Sequence, residues 1–210
     1  MDDDDLILAE LLCARLAHDL SGPVGAVANG AELLDEEDTA GDIVGEAVEL
    51  LAVSAAAAVA RLRFLRLALG PAGAAPRPGE LRGLIHDYLG KGASGADAVA
   101  FGCPSALEAK LGAAPAQLVA NLVMLARDCL PRGGVIRLVA PGGGAVLAMT
   151  AESPHAAAGD AAKALVSARA EGLSPRGAQG YFAARLAARA GLAIAATIET
   201  GRIAIALEKG

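Results

Sequence analysis

Aromatic residues are nearly absent from this chain: of 210 residues three are Phe, two are Tyr and none is Trp. Core packing therefore falls to leucines and to small side chains in close helix contact, and platforms for stacking nucleic-acid bases are scarce. The three cysteines, Cys13, Cys103 and Cys129, are widely separated and form no CxxC pair. That spacing suggests neither a disulfide framework nor a zinc site, and they read as small buried hydrophobes in a reducing cytoplasm. No run of lysine or arginine occurs, and 18 basic against 24 acidic residues leave a net charge of −6. This balance argues against a nucleic-acid backbone or an anionic membrane as main ligand and points to protein partners. There is no stretch of about 18 apolar residues without charge, glycine or proline breaks. The opening Met1-Asp2-Asp3-Asp4-Asp5 is the opposite of a basic signal start and suits a helix N-terminus, so a soluble, cytoplasmic protein is expected.

What is plentiful is small and apolar: 54% of the chain is hydrophobic, with alanine the largest share, enough for a core. From Leu6 to about Glu36, Leu8, Leu12, Leu16, Leu20, Val24, Val27, Ala31 and Leu34 recur at steps of three and four, which is one stripe of one helix. An acidic loop, Asp35 to Thr39, precedes a second helical stretch from Gly41 to Leu69, with Ile43, Val44, Ala47, Leu50, Leu51, Ser54, Ala58, Leu62, Leu65 and Leu69 on its apolar side. Two such helices form an antiparallel hairpin that cannot enclose a core alone, so dimerisation into a four-helix bundle is expected.

The segment Gly70 to Gly79, rich in Gly, Ala and Pro, marks a boundary: residues 1–70 form the hairpin, 71–79 a linker, and 80–210 a second domain. There the patterns predict helices at Glu80–Gly90, Ala114–Leu130, Asp160–Ala170 and Pro175–Ala190. Strands are predicted at Val99–Cys103, Val135–Ala140, Ala145–Thr150, Leu192–Glu199 and Arg202–Leu207, with hairpin turns at Pro141–Gly144 and Thr200–Gly201. The fold class is α+β, a sheet with helices on one face following the helical hairpin.

Inside the first helix lies His18-Asp19-Leu20-Ser21-Gly22-Pro23. At about 100° per residue the leucine stripe centres opposite His18, whose own face carries Leu11, Ala14, Arg15, Gly22, Gly25 and Asn29. An outward imidazole, largely neutral near pH 7, can accept a phosphoryl group, and the adjacent Asp19 can take a proton from one ring nitrogen and leave the other as nucleophile. Arg15, one turn earlier, is expected to attract phosphoryl oxygens or to steer an acidic pocket of the partner. Gly22, Gly25 and Ala14 leave a low surface for a partner. His86 and His155 lack this context and read as surface or structural residues.

A histidine, acid, hydrophobic residue and proline at this spacing resemble the dimerisation helix of histidine kinases, and Asn121 through Ile136 resembles the region of their ATP domain that opens with the asparagine box. The resemblance implies a kinase ATPase-like α/β sandwich after the linker. At the position of the box's magnesium-binding second asparagine stands Leu125. The expected aspartate strand end reads Met149-Thr150-Ala151-Glu152-Ser153-Pro154, and the second glycine-rich loop reads Gly177-Ala178-Gln179-Gly180-Tyr181-Phe182. A kinase-like bundle followed by an emptied ATP domain, with Leu12-Cys13-Ala14-Arg15-Leu16-Ala17-His18-Asp19-Leu20, is similar to the ChpT-type histidine phosphotransferases. That resemblance implies a dimeric shuttle that takes a phosphoryl group on His18 from the receiver domain of a hybrid kinase and passes it to response-regulator receivers. It implies no ATP and no metal of its own, magnesium being the receiver's. Gly22 stands where bifunctional kinases hold a residue that positions a hydrolytic water, so transfer is expected to outrun hydrolysis. Two alternatives stay open: a divergent ATP-dependent kinase, and a non-catalytic adaptor that binds receivers.

Overall fold

The computed structural model describes residues 3–35, 41–71, 73–90, 97–139, 145–167 and 172–210. The acidic loop at 36–40, the turn at 141–144 and the end of the helix expected to reach Ala170 lie outside them. Two long helices, α1 (Asp3–Asp35) and α2 (Gly41–Leu69), form the expected antiparallel hairpin. Three aspartates in the first turn of α1 complement its dipole. The helices approach closely because the contact is built from small residues. A Cβ on Gly30 would lie 2.9 Å from Leu51 Cγ and 3.4 Å from the carbonyl of Ala47, and Ala47 and Ser54 are buried there.

Beyond the linker follow α3 (Glu80–Leu89), β1 (Val99–Gly102), α4 (Ser105–Glu108), α5 (Ala113–Asp128), β2 (Gly134–Val139), β3 (Ala145–Glu152), α6 (Asp160–Ser167), α7 (Pro175–Arg189), β4 (Leu192–Glu199) and β5 (Arg202–Lys209). The strands make one sheet in the order β1-β2-β3-β5-β4, parallel between β1 and β2 and antiparallel elsewhere. One face, with Phe101, Ile136, Leu138, Leu147, Met149, Ala151, Ile203, Ile205 and Leu207, is buried in the core. The other carries alternating small and charged residues, where Arg137 and Arg202 both pair with Glu152 at 3.2 and 3.3 Å. Such exposed pairs contribute little, about 0–1 kcal/mol each.

The one-turn α4 is too short for periodicity to reveal. It matters because Glu108 is buried and closes the start of α3, accepting from the backbone N–H of Arg82 at 3.0 Å and from its guanidinium at 2.7 Å. Burial pushes the Glu108 carboxyl up, but those bonds outweigh it and hold it below its ordinary value.

The hairpin does not stand apart from the sheet layer. Phe64, Leu65 and Ala68 of α2 belong to the same buried cluster as α5 and the sheet, and Phe64 stacks on Tyr88 of α3 with ring centroids 4.0 Å apart. The start of α1 rests on α7 through Leu8, Ala178 and Tyr181. What the single chain leaves uncovered is an aliphatic side of the hairpin. Val44, Val48, Val59 and Leu62 recur on one face of α2 and are exposed, as is Val24 of α1 at 54%. The sequence pattern places Val24, Ala31, Leu34, Val44, Leu50 and Leu62 on covered stripes, yet all six are exposed, so the stripes are only partly buried within one chain. Among the described residues no helix is long and apolar enough to cross a membrane.

Helices α6 and α7 cross at Gly180, where a Cβ would collide with the carbonyl of Ala161 and come within 2.9 Å of the Leu165 nitrogen. Gly180→Ala is therefore expected to destabilise the protein by about 1–3 kcal/mol. Gly83→Ala, in the exposed interior of α3 with no heavy atom within 4 Å of the new Cβ, is expected to stabilise it by up to about 1 kcal/mol. Paired urea titrations of the two variants check both signs.

Candidate functional site

Helix α1 presents His18, Ala14, Gly22, Gly25 and Asn29 to solvent, so the histidine and the low surface around it stand on one open side. Leu11 is half-buried against the Leu8–Tyr181 cluster at the border of that surface. A Cβ added to Gly22 or Gly25 would meet no heavy atom within 4 Å, so the groove beside the imidazole is open. Pro23 is buried within the helix and lacks the N–H that would pair with the Asp19 carbonyl, while Ser21 Oγ donates to the Ala17 carbonyl at 2.7 Å. Among the described residues no side chain hydrogen-bonds or ion-pairs with His18.

Arg15 is not on that open side. Its side chain is 4% exposed, and its Nε donates to both carboxylate oxygens of Asp19 at 3.1 and 3.2 Å. Its two terminal nitrogens grip Asp128, at the end of α5, as a fork: Nη1 to Oδ2 at 2.7 Å and Nη2 to Oδ1 at 3.1 Å. The expectation that Arg15 faces outward beside His18 is corrected, because a buried guanidinium must satisfy its donors and Asp128 arrives from another helix to do so. Burial opposes the charge of Arg15, but the hydrogen bonds and the fields of Asp128 and Asp19 prevail and hold it well above its ordinary pKa. Asp19 is likewise turned toward Arg15 rather than toward the imidazole.

Around this pair the charges balance. Arg127 lies 5.4 Å above the Tyr88 ring, and Arg15, Asp19 and Asp128 act on the same phenol, giving two cations and two anions at the junction of α1, α2, α3 and α5. Burial pushes the Tyr88 hydroxyl up, and its oxygen has no hydrogen-bond partner among the described residues. Sequence reasoning missed Asp128 and Tyr88. The Arg15–Asp19 spacing is a local signal, but nothing in the sequence links Arg15 to a residue 113 positions away.

In the second region singled out by the sequence, Asn121 and its amide partners are internal. Asn121 Nδ2 donates to the carbonyls of Ala68 and Gln117 at 2.8 Å each, Gln117 Nε2 donates to Gly70 at 2.6 Å, and Gln179 Nε2 donates to Asn121 Oδ1. Asn121 and Gln117 thus satisfy carbonyls at the end of α2, and Gln179 holds Asn121 in place. Leu125 is fully buried in the apolar core. Gly177 to Phe182 is not a loop but part of α7, with Ser174 Oγ capping it through the Gly177 N–H at 3.1 Å.

Comparison with known proteins agrees with this architecture. Residues 78–202 match the sequence model of the histidine phosphotransferase C-terminal domain. Protein phosphotransferase ChpT of Brucella abortus (strain 2308) is 34% identical over 132 residues, 61% of this chain and 58% of that protein, so the match spans under two thirds of the relative's length. A solved structure of a bacterial phosphotransferase superposes with a TM-score of 0.71 at 26% identity, covering 97% of this chain and 96% of that one.

Asn121→Ala removes the 2.8 Å side-chain donor to the Ala68 carbonyl, which keeps only Gln117 Nε2 at 3.4 Å, together with the side-chain donor to the Gln117 carbonyl and the acceptor of Gln179. It is expected to cost about 2–4 kcal/mol, as the unpaired buried groups lose their partners, and to speed amide exchange at the end of α2 before it does so in the sheet, as hydrogen-exchange mass spectrometry reads.

Proposed function

Because the chain belongs to the histidine phosphotransferase family, we propose that it is a phosphotransferase of a multistep phosphorelay, with His18 as the phosphoryl acceptor. The observation that carries this reading is an exposed, unencumbered imidazole on a helix whose opposite side is packed, bordered by Ala14, Gly22, Gly25 and Asn29. A receiver domain docks on that surface with its aspartyl phosphate in line with a ring nitrogen. The nitrogen lone pair attacks phosphorus, the P–N bond forms as the P–O bond breaks, and the aspartate leaves as a carboxylate. The proton on the other ring nitrogen is free to pass to solvent, and the reverse step hands the group to a second receiver. Magnesium comes with the receiver.

The reading assigns no ATP to this chain. The kinase-like asparagine, Asn121, has its amide engaged by backbone carbonyls and Gln179, and the position of a magnesium-binding asparagine is the buried Leu125, so these residues do not fit a magnesium nucleotide. Arg15 and Asp19 serve the site as an ion pair beneath it, while Leu11, Ala14, Gly22, Gly25 and Asn29 meet the partner. The exposed face of Val44, Val48, Val59 and Leu62 supports a homodimer closed into a four-helix bundle, since water-facing aliphatic rows on a long helix are stable when a second copy covers them. A receiver-binding adaptor without chemistry is the second reading, and the same variant separates the two.

Incubated with phosphorylated receiver domains and no ATP, the wild type is expected to gain an acid-labile, base-stable phosphoryl group and His18→Gln none; labelling of both, or binding with labelling of neither, sinks the reading. Val48→Glu/Leu62→Glu is expected to convert a dimer to a monomer by light scattering; a wild type that is already monomeric at micromolar concentration overturns the bundle.

A further inference from the structure

We propose that Asp128, on a helix far from His18 in sequence, is a positioning residue for phosphotransfer: through Arg15 it sets the rotation of α1 about its own axis and so the direction in which His18 faces a docked receiver. This inference rests on the phosphotransfer reading. Three observations carry it. Along the stretch that bears His18, Leu16, Leu20 and Pro23 pack one side of α1, but Ala14, Ala17, Ser21, Gly22, Val24 and Gly25 are all exposed, so apolar contact supports the helix from one side only and leaves its rotation to a directional tie, and Pro23 breaks the helical ladder there. The fork between Arg15 and Asp128 is the one directional tie between this stretch and α5 among the described residues, with both carboxylate oxygens engaged and the guanidinium 4% exposed.

On a helical wheel Arg15 and Asp19 lie about 40° apart and His18 about 60° beyond Arg15. With the guanidinium held toward Asp128, His18 is turned to solvent at the flank of the C-terminal half. Slippage by one residue, about 100°, would carry the imidazole away from that bearing. Neither Asp128 nor Arg15 needs to touch the phosphoryl group. The Arg15 charge is matched by two carboxylates, so the pair offers orientation rather than a free cation. The anchor itself is rigid, since Asp128 ends the fully packed α5 and its neighbour Arg127 sits on the Tyr88 ring, which stacks on Phe64 of α2.

A rigid receiver reads the direction of the histidine, whereas a small phosphodonor approaches from any side. The test is therefore to phosphorylate wild type, Asp128→Asn and Asp128→Glu with phosphoramidate and, separately, with a phosphorylated receiver domain, following each rate and the melting temperature. For Asp128→Asn, phosphoramidate labelling is expected within about twofold of wild type, while kcat/KM for the receiver falls about tenfold or more, the scale of a small misplacement of a reacting group. Asp128→Glu, which keeps the carboxylate on a longer stem, is expected to recover part of that loss, and it carries the comparison should Asp128→Asn not fold. Equal effects on both donors, or none on either, overturn the inference. A wild type labelled by no receiver at all overturns the phosphotransfer reading and takes this inference with it.

Discussion

The two-sided grip on Arg15 decides how the long hairpin sits on the rest of the molecule. Its guanidinium, almost sealed from water, is held within α1 by Asp19 and across to α5 by Asp128. A leucine in its place would bury comparable surface, yet an apolar contact tolerates sliding and rotation, whereas a planar fork meets a carboxylate in one arrangement. Removing Arg15 would leave two largely buried carboxylates without their counter-ion, a loss of about 3–5 kcal/mol, so the arrangement is held by the cost of breaking it. The Phe64–Tyr88 stack, adding about 0.5–1.5 kcal/mol beyond its area, and the Arg127 cation above it bring α2 and α3 into the same junction. With so few aromatics in the chain, placing two of the five face to face here marks where the halves are joined.

Helix α5 is the hub of the C-terminal half. It is buried along nearly all its length, so its polar residues must find internal partners. Asn121 and Gln117 find them in the carbonyls at the end of α2, and Gln179 completes the set from α7. The same side chains that in sequence look like a nucleotide site are, in the fold, the fastening of the hairpin's second helix. Gly180 serves a related end by letting α6 and α7 cross with backbones in contact. Both features make the layer over the sheet continuous with the hairpin.

The functional surface is the remainder: what packing on one side of α1 leaves free on the other. His18 stands there among glycine and alanine, and Val44, Val48, Val59 and Leu62 of α2 are exposed as well. Family membership and an open imidazole meet in the proposed phosphotransfer, while the uncovered valines and leucines are the feature that a second copy would bury.

Local spacing alone determined a great deal. The three- and four-residue recurrence of leucine along α1, the span Gly41–Leu69 of α2, the strand spans at Leu192–Glu199 and Ala145 onward, the helix from Pro175, and the outward face of His18 are all set by which residues lie within a few positions of one another, because helix and strand periods are local properties. What only the tertiary structure decided is which distant partner answers each polar group. Arg15 was legible as a charged residue near His18 but not as a buried one, since Asp128 comes from a helix 113 residues on. Asn121 was legible as an asparagine box but not as a cap for α2, and α4 was too short to show a period. The pairing of β4 with β5 follows from the turn at Thr200–Gly201, but that β5 then lies against β3 is a non-local choice that no strand's own pattern carries. A short window of sequence carries the direction in which a side chain points; it carries nothing about what the folded chain will bring to meet it.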